Sequence, residues 1–409
     1  MPSGDRAAPS IALLLSDGFI NRTGIGRYQQ ALIEELSGRI NLHALVDERW
    51  VGRMSGGSFP PPFRMTPIHR YRRVRTVARN APRIVGNAVR SRDFRTRDPL
   101  RFLETLRTRV LPAAYVDRAG FSLLHGTANY IPRTFGPTAR VVTIHDTIPL
   151  SHPEGLPKLL IGGFVRPSEL RPEDHVITDS QTSLRELRRL FDHPRDRLHA
   201  IPLAPDHRVF RPGPTPSNKG PPYVLSVGII ARHKNLLQGL RAFEQVAARR
   251  RDLRWKIVGL KGWGWPEFRR ALDASTAKDR VDVLGLTTDE GLAEYYRGAR
   301  ALLFPSLVEG FGIPVLEALA CGTPVAASSI AVLHEIAEGA FVPFDPSDAT
   351  GIAEALERAA FDEAERDRLR RNGLDKAAMF TWSKVAEDHL RVYAAALETD
   401  VGSLLVRGK

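Results

Sequence analysis

Apolar runs of about five residues, each followed by a glycine-bearing turn and then by a stretch with apolar positions at helical spacing, recur along the chain in two sets. The first set opens with a run at 11–15, passes Asp17 and Thr23-Gly24-Ile25-Gly26-Arg27-Tyr28, and enters a helix predicted over 29–36. The second opens with a run at 223–227, passes Gly228 and Arg232-His233-Lys234-Asn235, and enters a helix predicted over 236–249. Further apolar runs at 121–124, 141–150 and 301–305 read as buried strands. Strands alternating with helices predict parallel sheets covered on both faces, with ligands at the carboxyl ends of the strands. The Pro- and Gly-rich stretch that closes at Pro222 has little periodicity and reads as a linker. The expected organisation is a Rossmann-like domain over 1–205, a linker over 206–222, a second Rossmann-like domain over 223–380 and a final helix within 381–409. Val385, Leu390, Val392 and Tyr393 share one side of that helix.

Composition narrows the class. With 409 residues, 43% hydrophobic and 26% charged, the chain is long enough for about two to three domains, each with its own core. No run approaches the roughly 18 apolar residues that span a membrane, and 11–15 reads as a first strand rather than as part of a signal peptide. The single cysteine, Cys321, excludes internal disulfides and a Cys-based zinc site, and its place on an apolar helix points to packing. A cytoplasmic protein is expected.

The net charge of +13 is concentrated between Arg64 and Arg109, where arginines alternate with Val, Ile, Leu and Phe inside an insert over about 51–120. Three readings are open for it: a basic amphipathic surface lying on anionic lipid at the inner membrane face, a set of solvated helices, or a nucleic-acid surface. No zinc finger, RNP motif or heptad-linked basic region accompanies the arginines, so no nucleic-acid partner is expected.

Candidate chemistry gathers at Glu309-Gly310-Phe311-Gly312-Ile313-Pro314-Val315-Leu316-Glu317. Two glycines let the backbone turn tightly and approach a ligand, and Pro314 suits a helix start. Backbone N–H groups at such a start, with the positive end of the helix dipole, suit an anion such as a diphosphate. Glu309 and Glu317 flank the turn and can accept hydrogen bonds from sugar hydroxyls. Lys234 follows a strand-end glycine by six residues and can face the same diphosphate, with Arg232 or His233 as the second cation. A third Gly at Rossmann spacing after Gly24-x-Gly26, a Walker A sequence and an Asp-x-Asp motif are all missing from the sequence, so no dinucleotide cofactor and no metal are expected.

The run from Arg297 to Ser329 resembles the donor-site signature of the family 4 glycosyltransferases, the retaining enzymes of the GT-B fold. Glu309, the Gly310-Phe311-Gly312 turn and Glu317 eight positions on match that pattern, as do Lys234 and Asn235; the family's Arg position is His233 here. The likeness covers roughly 11–50 and 121–395 and is nearest to the mannosyltransferase-like branch. It implies two Rossmann-like domains facing each other across a cleft, with the final helix crossing back onto the first. It also implies a nucleotide diphosphate sugar donor, with GDP-mannose expected, and a glycan or lipid-linked saccharide acceptor. Gly26, Arg232, Lys234, Gly310, Phe311, Gly312 and Glu317 would bind the donor. His145 and Glu309 would act at the reacting sugar, Asp146 would orient His145 or the acceptor, and His125 and Asn129 would contact acceptor. The rival from another class is a non-catalytic sugar-nucleotide sensor or assembly partner that keeps the fold.

Overall fold

A computed structural model describes residues 8–16, 24–47, the backbone of 64–68, 116, 118–132, 134, 136–148, 170–213 and 220–406. Most of the Arg-rich insert, together with Asp17 and Thr23, lies outside the described residues.

Thirteen strands in the described residues form two wholly parallel sheets. The first contains β1 (Ser10–Leu14), β2 (Asn41–Asp47), β3 (Arg64–Ile68), β4 (Leu123–Gly126), β5 (Ala139–Thr143), β6 (His175–Thr178) and β7 (Leu198–Ala200), in the order β3-β2-β1-β4-β5-β6-β7. The second contains β8 (Tyr223–Val227), β9 (Arg254–Val258), β10 (Val281–Gly285), β11 (Leu302–Phe304), β12 (Val325–Ser328) and β13 (Val342–Phe344), in the order β10-β9-β8-β11-β12-β13. Strands β4, β11 and β12 are buried at every position, as expected where helices cover both faces. Each sheet reverses its winding once, between β1 and β4 and between β8 and β11, and the carboxyl ends at such a reversal are where doubly wound sheets bind ligands.

On the first sheet lie α1 (Gly24–Leu36) and α2 (Gln181–Leu190). The second carries α3 (Leu236–Arg249), α4 (Trp265–Asp273), α5 (Asp289–Gly298), α6 (Ile313–Ala320), α7 (Ala331–Ala337), α8 (Ala349–Phe361) and α9 (Glu363–Ala378). The helix α10 (Trp382–Ala396), capped by the Thr381 hydroxyl accepting from Lys384 N–H, returns to the first sheet and packs on α1 and β5. Two details differ from the sequence reading. Helix α1 begins at Gly24 rather than at 29, so Arg27 is helical. Strand β5 stops at Thr143, and the His145 N–H donates to Asn129 Oδ1 at 2.8 Å instead of continuing the ladder.

The helix α10 is tied to the first sheet by a buried polar chain whose direction is fixed at one end. His389 Nδ1 lies 2.8 Å from the Val385 carbonyl, which can only accept, so Nδ1 carries the proton and Nε2 accepts from Tyr28 OH at 2.8 Å. Tyr28 in turn accepts from Thr143 OH at 2.9 Å, Thr143 from His125 Nε2–H at 2.8 Å, and His125 Nδ1 from Tyr393 OH at 2.7 Å. Burial agrees with this assignment: it pushes His389 down to about 4 and His125 well below the usual imidazole range, so both rings are neutral. Around the chain, one apolar cluster runs from Ile11 and Leu13 through Phe210 and Tyr296 to Leu302 and Leu316, joining the two domains.

Candidate active site

The Glu309–Glu317 segment connects β11 to α6 at the reversal of the second sheet. Gly312 caps α6 with φ at +108°, a conformation that favours glycine, and a Cβ there would have to displace Leu333 Cδ2, 2.8 Å away. Gly310 is needed for a different reason. A Cβ on it would lie 2.5 Å from the His145 carbonyl oxygen and 2.7 Å from Asp146 Cβ, so the turn rests directly on the first domain. Its own carbonyl accepts from Ser180 OH at 2.8 Å and Ser183 OH at 3.1 Å, and Glu335 accepts from the first N–H groups of α2, Gln181 at 2.7 Å and Thr182 at 3.0 Å. Phe311 is buried against Phe380, so only its backbone is available to a ligand.

Lys234 ends a short 3₁₀ turn after β8 and reaches Glu309, Nζ to Oε1 2.5 Å, with its ammonium 5.4 Å above the Phe304 ring. Asn235, with φ at +55°, turns the chain from there into α3 and donates to the Pro346 carbonyl. Arg232 is directed elsewhere: it is largely exposed and pairs with Glu267 at 3.1 Å. His233 packs on Trp263, ring centroids 5.8 Å apart.

Glu317, on the second turn of α6, is enclosed by side chains from both domains. Arg27 of α1 donates to its Oε1 at 2.7 Å and Tyr296 OH to its Oε2 at 3.0 Å, while the same guanidinium bonds Asp289 at 2.5 Å. Burial pushes the Glu317 carboxyl up to about 7, against the pull of Arg27 and the Tyr296 hydrogen bond. Gly26 is buried in the first turn of α1, one residue before that guanidinium. Arg27, Tyr296 and Asp289 carried no role in the sequence reading. An arginine directly after Gly24-x-Gly26, at the start of a helix aimed at the junction, is the signal that could have found the first.

Across the junction, His145 is buried with both ring nitrogens engaged. Nδ1 lies 2.9 and 3.2 Å from the two Asp179 oxygens, and Nε2 lies 3.0 Å from the Thr127 carbonyl. Its orienting carboxylate is therefore Asp179, not Asp146. The Asp146 carboxylate accepts from Ile148 N–H, and burial, with Glu309 and Asp179 adding to it, raises its carboxyl to about 6. Asn129, expected to contact acceptor, braces the His145 backbone with φ at +54°. His125, expected beside it, is fully buried with both nitrogens used in the chain to α10, so its role is structural.

The site thus joins a cation–carboxylate pair, Lys234–Glu309, on one domain to the His145-Asp146 wall of the other, with Arg27 bridging the two. Two parallel α/β domains that meet at their carboxyl ends, with a last helix returning to the first, define the GT-B architecture of glycosyltransferases. Residues 210–376 match the family Glycosyl transferases group 1. The chain is 27% identical over 285 residues to the O-antigen chain mannosyltransferase B of Escherichia coli, covering 66% of this chain and 74% of that protein. It is 28% identical over 293 residues to the Escherichia coli serotype-specific mannosyltransferase WbdA, again over 66% of this chain but only 36% of the longer relative. In three dimensions it superposes on Anabaena Alr3699/HepE, solved in complex with UDP and glucose, with a TM-score of 0.68 at 14% identity, covering 95% of this chain and 100% of that one. That likeness is one of fold.

Proposed function

We propose that the protein is a retaining glycosyltransferase that moves a hexose, mannose from GDP-mannose, onto a lipid-linked or polysaccharide acceptor in cell-surface glycan synthesis. The observation that carries the reading is the Lys234–Glu309 ion pair at the Gly310 turn, set against the His145-Asp146 wall. A diphosphate entering beside Lys234 replaces Glu309 as the partner of the ammonium, and the carboxylate is then open to sugar hydroxyls. The ammonium keeps a charged partner, and the carboxylate exchanges its cation for neutral hydroxyl donors. The ammonium also offsets the charge that grows on the leaving diphosphate as the glycosidic bond breaks. Lys234 and the α6 terminus would do this electrostatic work without a metal ion. Glu317 would hold the ribose hydroxyls, which requires it to exchange Arg27 or Tyr296 for them. Retention follows from same-face attack, with a leaving phosphate oxygen taking the acceptor proton. The mannose assignment draws on the activity for which the mannosyltransferase relatives are named, and the nucleotide donor on the UDP complex of the structural neighbour.

Incubation with a panel of sugar nucleotides in the presence of EDTA tests this. Slow release of GDP from GDP-mannose, exceeding that from UDP-sugars, is the expected result. Release from none of the panel would sink the transferase reading, and release only with added metal would sink the metal-independent mechanism.

A further inference from the structure

We infer that His145 is held as an imidazolium by Asp179 and Thr127, and that residue 145 serves the site through this clamped cation rather than through a ring nitrogen offered to the sugar. Each ring nitrogen faces oxygen: the Asp179 carboxylate at Nδ1 and the Thr127 carbonyl at Nε2. A carbonyl only accepts, so Nε2 carries a proton. At Nδ1, the two carboxylate oxygens fork around one nitrogen at 2.9 and 3.2 Å, the arrangement of a single N–H shared by an ionised carboxylate. A protonated acid would instead present one O–H to the ring. Both nitrogens therefore donate.

The groups packed around the ring agree. From α1, Tyr28 meets it edge-on at 4.8 Å and 81°. From β4 and α10, His125 and His389 approach as neutral rings. From its own loop Asp146 adds a second carboxylate, so the acidic neighbours outnumber the cationic ones. Burial works against charge at His145, yet Asp179 by charge and hydrogen bond, with Thr127 and Asp146 adding to it, raises the imidazole above its ordinary range.

The clamp has a geometric consequence. Thr127 follows β4, His145 follows β5 and Asp179 follows β6, so one ring fastens three strand ends and sets the His145 carbonyl and Asp146, the surface on which Gly310 rests. Asp179 is in this sense a positioning residue. Its effect on turnover rests on the transferase reading; the charge of the ring does not.

The test uses the full chain with ¹⁵N-labelled histidine, His145→Gln assigning the resonance. At pH 6.5, where an unperturbed imidazole is about half protonated, both His145 nitrogens are expected to be protonated in the wild type, and the ring mostly neutral in Asp179→Asn. The same variant should move the alkaline limb of the kcat profile for donor hydrolysis to lower pH, with donor KM little changed, and Asp179→Glu should partly restore it. A neutral wild-type ring at pH 6.5 overturns the inference whatever the activity. An unmoved pH profile overturns the positioning role. A charged ring in a protein that hydrolyses no donor leaves the inference standing and removes the transferase reading instead. Should Asp179→Asn fail to fold, the wild-type titration alone decides.

Discussion

Lys234 and Glu309 neutralise each other at 2.5 Å with little side-chain surface in water, so neither can be removed without stranding its partner. Lys234→Ala leaves Glu309 largely enclosed without a cation, and a diphosphate would then add a second negative group beside it. Loss of one charge-assisted hydrogen bond is worth about 1.5–3 kcal/mol, so nucleotide affinity should fall about ten- to a hundredfold. Titration calorimetry with the nucleoside diphosphate reads this directly, and wild-type affinity in Lys234→Ala would remove the diphosphate assignment. Arg27 and Glu317 call for a different measurement, because their pair crosses the junction. Arg27→Ala removes the cation that holds the Glu317 carboxyl down, so the buried acid must take up a proton or stay charged with Tyr296 alone; breaking a buried pair costs up to about 3–5 kcal/mol, less here because the guanidinium is partly in water. Glu317→Gln removes the charge that is stranded. The double variant should therefore be more stable in urea than Arg27→Ala alone, a coupling that two independent contributions would not give.

At the scale of elements, the turn from β11 to α6 packs directly on the first domain. Gly310→Ala places a methyl group within 2.5 Å of a backbone oxygen and 2.7 Å of a Cβ on the opposite domain, neither the end of a flexible side chain. Overpacking of this kind costs about 1–3 kcal/mol, and the turn must lift from the His145-Asp146 wall. A lower melting temperature together with slower donor turnover is expected; full activity at unchanged stability would show that the turn does not rest there during the reaction. Much of this level was legible in the sequence. The apolar runs at 223–227 and 236–249 became β8 and α3 residue for residue, because a continuous apolar strand and an amphipathic helix each state their own period. The Gly-x-Gly turn and its two glutamates were legible for the same local reason. What the sequence did not show is who faces whom. Asp179 lies 34 residues from His145, and Arg27 lies 290 residues from Glu317, and no local period encodes such pairs. His125 misled because a histidine after an apolar run looks the same whether the strand end opens on a ligand or on a returning helix.

Across the whole molecule, the neutral rings of His125 and His389 tie stability to pH. An unfolded histidine titrates near 6.5, whereas His389 in the folded chain titrates at about 4. Between those values the unfolded state holds the extra proton, so the contribution is complete above about pH 6.5 and is lost as pH falls through 4. Raised carboxyls such as Glu317 act with the opposite sign, so the test must isolate the ring. His389→Phe removes the titration, and the difference in melting temperature between wild type and variant should be widest near pH 7.5 and narrow toward pH 4. A constant difference would mean that the ring is charged inside the fold.

The same polar chain orders events in time. Tyr28 and His389 are 361 positions apart, and His125 and Tyr393 are 268 apart. While the protein is being synthesised, its first domain is complete in strands long before α10 leaves the ribosome, and until then Tyr28 and His125 face a slot with no occupant. Contacts this distant in sequence make folding slow and leave apolar surface exposed meanwhile. The half of the molecule that is made first is thus the half that matures last, and it waits on the helix that the ribosome releases among the final residues described.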